Sequence, residues 1–252
     1  MISLPLLISA AVVLLTFLFA AYQDWKTRTV LKAAWYPAAL IGGICAVFFW
    51  AEFIHVKGAH LVLFISIVFA VLCAVFSFLG MFGKADAKAL ILLSLTVPVS
   101  PFAAYIFPSL AVSALVNAGV LTLFVPAAFL AYNIIKKNRA PFLLMCSGRP
   151  VNGKSAKEQF GFIAETICEE NGEIKKRFVS TRELIFSLRQ NPGRNTRHLR
   201  EEPKKYREML SLLDRCDTVW VTFGIPLLVP LTAGLILALF GVSAVDILLT
   251  LI

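Results

Sequence analysis

The chain has 252 residues, 59% hydrophobic and only 15% charged, with a formal net charge of +9 and a mean hydropathy of +0.81. That composition excludes an ordinary soluble globular domain, which needs far more polar surface. The positive charge does not point to nucleic acid, because it follows the excess of Lys and Arg that cytoplasmic loops of membrane proteins carry.

A helix needs about 20 apolar residues to cross the hydrocarbon core. Six stretches read as such spans: residues 2–22, 33–53, 61–79, a fourth starting near 87 and broken by Pro98 and Pro101, 110–135, and 219–240. The first has no basic residues ahead of its apolar run, so it reads as a retained span and not a cleaved signal. Residues 242–252 are apolar but too short to span. Eighteen of the 24 Lys and Arg, and eleven of the 15 acids, fall between positions 136 and 217. The chain therefore divides into spans 1–5 (1–135), a water-facing insert (136–217), and the last span with its short tail (218–252).

Alternate loops differ sharply in basic residues. One set carries Lys26, Arg28, Lys32, Lys84, Lys88 and the 18 of the insert; the other carries only Lys57. The bias puts the N-terminus outside and the insert in the cytoplasm. Within the insert, residues 160–168 and 174–179 read as two strands about an Asn171-Gly172 turn. Ser180 and Glu183 form a capping box for a helix to about 188. Residues 203–214 read as a second helix with Tyr206, Met209, Leu210 and Leu213 on one face. The fold class expected is an all-α polytopic membrane protein of about six transmembrane helices, with a small α+β cytoplasmic domain inserted before the last span.

The five cysteines, Cys45, Cys73, Cys146, Cys168 and Cys216, have no CxxC spacing and no clustered His. They match neither a zinc site nor a disulfide framework, and no metal or cofactor is expected.

Ionisable groups are rare in membrane segments and mark function by default. Outside the insert the acids are Asp24, Glu52, Asp86 and Asp246. Glu52 and Asp246 fall on the outer side. Asp24 ends the first span and Asp86 begins the fourth, both at the cytoplasmic edge. Two carboxylates brought together cannot both ionise easily, so one serves as base and the other as acid. Each also has a plainer reading: Asp24 paired with Lys26 or Arg28, and Asp86 as a helix-start residue. Asp214 and Asp217 lie on the same side without a motif.

Asp24 is followed by Trp25-Lys26-Thr27-Arg28, and Asp86 stands in Gly83-Lys84-Ala85-Asp86-Ala87-Lys88. This pair resembles the GxGD-type aspartic proteases, and among them the type IV prepilin peptidases, with the archaeal preflagellin (archaellin) peptidases the nearest branch. The Pro-containing stretch from Gly224 through Pro226 and Pro230 to Gly234 is similar to the last span of archaeal members. The motif departs from the family in having Ala85 where a glycine is usual. The chain also lacks the paired CxxC domain of many bacterial members, which argues against their N-methyltransferase activity.

The resemblance implies a membrane aspartic endopeptidase with Asp24 and Asp86 catalytic, and with Gly83, Lys84, Ala85, Lys88, Arg28 and Pro226 binding substrate or shaping the site. Its partners would be the lipid bilayer and membrane-anchored precursors with basic leader peptides, preflagellin or prepilin. The alternative, from the residues alone, is a proton-coupled transporter or channel using the same acids as relays.

Overall fold

The computed structural model describes residues 3–170, 173–179 and 192–251. Two compact units emerge: one of residues up to Thr122 together with Pro226 onward, the other Leu123–Ile225.

In the first unit, α1 (Leu4–Thr27) has Pro at its start, where the missing N–H costs nothing. Arg28, in the left-handed region at φ 55°, ends it. A second helical stretch, Lys32–Phe53, opens as a 3-10 turn (Lys32–Trp35), passes through a π turn (Ala38–Gly42) and continues as α2 (Gly43–Phe53). α3 (Ala59–Phe78) follows, then α4 (Lys84–Thr96) and α5 (Leu110–Ile135). After the insert, the chain forms two helices here named α9 (Leu228–Leu239) and α10 (Ala244–Thr250), bent by 61° from one another. The core is a cluster of small and branched side chains, including Phe17, Ala20, Leu90, Leu93, Ala114, Leu231 and Leu235.

Several polar groups inside this unit are partnered, although the buried Ser66 Oγ is not. Ser9 Oγ donates to the Thr96 carbonyl at 2.7 Å, Ser94 Oγ to the Ser66 carbonyl at 2.8 Å, and Thr232 Oγ1 to the Phe17 carbonyl at 3.2 Å. Asn117 of α5 holds the α9–α10 elbow: its Nδ2 donates to the carbonyls of Gly234 and Val242, and its Oδ1 accepts from the Ala244 amide. α5 and α9 come together at Gly234, where any Cβ would overlap the Ala114 carbonyl. Close backbone approach through small residues is how helices pack where lipid removes the hydrophobic drive.

Among the described residues, four helices are long and apolar enough to cross a membrane: α1, Lys32–Phe53, α3 and α5. The bent pair α9–α10 would make a fifth if it counts as one span. The chain is thus a mostly helical membrane protein with a small sheet region. Two of the six stretches read from the sequence differ. The fourth forms a helix of only 13 residues, roughly 20 Å long, because Pro98 stops it. The sixth does not start as a helix at all. Its first residues form a strand, Thr218–Phe223, and helix resumes only at Leu228. An apolar run of that length suits a buried strand as well as a helix, and periodicity alone does not separate the two.

The second unit begins on the end of α5 and continues with α6 (Phe142–Ser147), β1 (Gly148–Asn152), β2 (Gly161–Ile163), β3 (Glu165–Glu170), β4 (Glu173–Phe178), α7 (Thr196–Glu201), α8 (Arg207–Asp214) and β5 (Thr218–Phe223). One antiparallel sheet has the order β1-β5-β2, with Pro150 opposite Trp220 and Phe162 opposite Thr222. β3 and β4 form a separate antiparallel hairpin. The single strand expected over 160–168 is therefore two. At Ala164 the chain leaves β5, with the Ala164 amide still donating to the Trp220 carbonyl, and takes up pairing with β4.

The expected helical face is present: Leu213 is buried, and Tyr206, Met209 and Leu210 pack on the same cluster as Ile163, Ile167 and Val221. Trp220 is buried beside Leu144 and Ala164, its Nε1 donating to the Leu144 carbonyl. The helix expected from the Ser180 capping box, and the Asn171-Gly172 turn, lie outside the described residues.

Candidate active site

Along α1 the buried residues Val13, Phe17, Ala20 and Ala21 recur at helical spacing. Asp24, four residues beyond Ala20 and three beyond Ala21, continues the same stripe, so the helix that buries Phe17 also turns Asp24 inward. The same argument holds for α4. Ala89, Leu90 and Leu93 are buried, and Asp86 lies three, four and seven residues before them. Both carboxylates thus cap inward-facing stripes, and both are half-buried. α1 packs against both α4 and α9.

The two acids approach one another there. Asp24 lies within electrostatic reach of Asp86. Arg28, one turn on, acts on Asp24 as an opposite charge, and the backbone N–H of Leu228 is directed at the Asp24 carboxylate. Leu228 is the first residue of α9, so the positive end of a helix faces this acid. Pro226, half-buried, stands two residues before it, and its carbonyl accepts from the Val229 amide.

The segment after Asp24 is pinned by side chains. The Gln23 Oε1 accepts from the Leu31 amide at 3.0 Å. Thr27 Oγ1 donates to the Gln23 carbonyl at 2.9 Å and Thr29 Oγ1 donates to Thr27 Oγ1 at 3.0 Å. The Arg28 amide donates to the carbonyl of Asp24 itself.

Gly83 is the residue before α4, with an extended backbone, and its carbonyl accepts from the Ala87 amide. A Cβ added there would meet Asp86 Oδ2 at 2.5 Å, well inside contact distance. Glycine at this position therefore leaves room for the carboxyl itself. Ala85 lies in the second position of α4, in ordinary right-handed helix, packed against the membrane core. Its departure from glycine carries no backbone penalty, since the position does not need a positive φ.

Other residues singled out from sequence fall elsewhere. Lys84 and Lys88 are exposed on α4. Glu52 accepts from Ser3 Oγ, and Asp246 accepts the amides of Ile106 and Phe107. Asp214 and Asp217 are exposed and belong to the second unit. Sequence reasoning missed two contributors. Gln23 was legible as a polar neighbour of Asp24. The Leu228 amide was legible only as a helix start shortly after Pro226.

Comparison with known families gives two matches in tandem. Residues 11–134, which hold both Asp24 and Asp86, match the type IV leader peptidase family. Residues 140–241, which hold the sheet and α9, match the archaeal peptidase A24 C-terminus, type II. No curated protein matches the chain. The long apolar helices and the two family matches lead to one conclusion: the chain is a membrane peptidase and belongs to the type IV leader peptidase family of prepilin and preflagellin peptidases, a family that acts on prepilin-like precursors.

Proposed function

We propose that this peptidase is an aspartic endopeptidase that removes a short basic leader from a preflagellin- or prepilin-type precursor, with Asp24 and Asp86 as its catalytic pair. The observation that carries the reading is that two half-buried carboxylates, at the ends of α1 and α4, lie within electrostatic reach of one another. One accepts a proton from the attacking water. The other, protonated, donates a hydrogen bond to the scissile carbonyl as its oxygen gains charge. They act as one titrating unit, so neither role belongs to either residue alone. Gly83 leaves room for the Asp86 carboxyl, while Ala85, Arg28, Lys84, Lys88 and Pro226 shape the surroundings.

The distribution of Lys and Arg supports a cytoplasmic face for this site and for the insert, with the N-terminus outside. The chain then crosses six times, two of the crossings being made by broken helices: α4 with the segment after it, and the bent pair α9–α10. Such interruptions are tolerated at membrane depth where protein buries the freed backbone.

The test is cleavage of a purified precursor by the full chain in vesicles. Asp24→Asn and Asp86→Asn should each slow cleavage by about 10²–10⁴-fold while membrane insertion persists. Normal processing by either variant sinks the assignment.

A further inference from the structure

The final turns of α5 carry a feature that the peptidase reading does not use. Phe124, Ala128, Phe129, Tyr132, Arg149 and Phe223 line a groove of about 560 Å³. Phe129 and Phe223 stack with centroids 5.6 Å apart, so the wall is built rather than adventitious. The Arg149 guanidinium stands over two rings, 5.8 Å from Tyr132 and 5.5 Å from Phe223. Stacking on aromatic faces fixes the plane of a guanidinium while leaving its N–H donors available.

Three observations define what fits. Arg149 has no carboxylate partner among the described residues, and no acid lines the groove. Lys136, Lys137 and Arg139 follow just after the end of α5, all exposed and with no acid among residues 123–140. Only 17% of the most apolar window of α5 is buried inside the protein, and Leu123 and Phe124 are 73% and 67% exposed. A helix apolar enough to cross the bilayer, and this poorly covered, has lipid as its neighbour.

We propose that this groove binds one anionic phospholipid, its acyl chain along Phe124, Ala128 and Phe129 and its phosphate on Arg149. Basic groups at the end of a membrane span, above an apolar channel, match the two halves of such a molecule. A precursor's basic leader is the wrong charge for Arg149.

Native mass spectrometry of the full chain in detergent, with equimolar phosphatidylglycerol and phosphatidylcholine added, tests the site. The wild type should retain one phosphatidylglycerol with about fivefold preference. Arg149→Gln should bring that preference close to one. Ala128→Trp, an exposed position on α5, keeps the charge but fills the groove, and should lose retention of either lipid; it carries the test even if the Arg149 variant misfolds. Excess inorganic phosphate should not displace the lipid. Equal retention by wild type and Ala128→Trp overturns the proposal. So does displacement by inorganic phosphate, or a wild-type dimer that Ala128→Trp dissociates.

Discussion

The two units treat charge in opposite ways. In the unit made of α1 to the first half of α5 with α9 and α10, acids are scarce and each has particular partners. Asp24 has Asp86, Arg28 and the Leu228 amide; Asp246 has two loop amides. In the unit of residues 123–225, charges are abundant and mostly exposed, and four ion pairs form among the described residues. Lys175 with Glu170, Arg197 with Glu201, Lys205 with Glu202 and Arg215 with Glu169 all keep roughly half of their side chains exposed. Such pairs contribute little, because solvent screens them and ordering long side chains offsets the attraction. A polar group without water nearby has no such substitute for its partner. The number of ion pairs therefore says less about this protein than the few polar atoms its helices enclose.

Substitutions can sharpen or break that contrast. After the two Asp→Asn changes, the largest effect is expected from Gly83→Val. The new Cβ has to displace the Asp86 carboxyl, and a misplacement of about 1 Å costs about 10²-fold in rate. Precursor cleavage by the full chain should fall by that order while thermal unfolding stays near wild type. A variant that cuts normally removes Gly83 from the site.

Next comes Asn117→Ala, which leaves the Ala244 amide and the carbonyls of Gly234 and Val242 without their side-chain partner. Losing a buried partner costs about 1–3 kcal/mol. Its Tm in detergent should drop by several degrees, and hydrogen exchange should rise first at residues 241–246.

Glu165 is the exception within the second unit, and tests the rule from the other side. It is buried, and its carboxylate accepts from the Trp220 amide at 3.1 Å. Burial pushes its carboxyl above the usual glutamate range, opposed by that amide and by Lys176. The folded state then holds the proton more tightly than the unfolded one. Its contribution is full below the ordinary glutamate value, declines as pH rises through the raised one, and is level beyond. Glu169 and Glu201 have the opposite sign, since Arg215 and Arg197 hold them below the usual range. Their stabilisation is present above the ordinary value and lost on acidification. Glu165→Gln should abolish the declining slope in hydrogen-exchange protection of residues 161–170. If the slope persists, another group is its source.

The smallest change is expected from Lys175→Ala, at an exposed pair. Its Tm should move by less than about 1 °C. A larger shift would mean that surface pairs in this unit do more than the contrast allows.

Much of this was readable from the chain. Apolar runs of 20 or more residues between charged loops have one stable solution in a bilayer, so α1, the stretch ending at Phe53, α3 and α5 follow from composition and length. The position of Asp24 and Asp86 on inward stripes follows from helical spacing alone. Two β-prone segments indicated the β3–β4 hairpin in outline, and the spacing of Tyr206, Met209, Leu210 and Leu213 placed the buried face of α8.

What the chain did not reveal depends on partners distant in sequence. Residues 219–223 are apolar enough for either a span or a strand, and they became β5 because β1 and β2, some 60 to 70 residues earlier, offered their edges. The Leu228 amide reached Asp24 because α9 packs on α1 across about 200 residues of chain. Burial patterns are local and can be read along one strand or helix. Hydrogen bonds between distant backbones, and the approach of two carboxylates from separate helices, exist only once tertiary packing has chosen which surfaces touch.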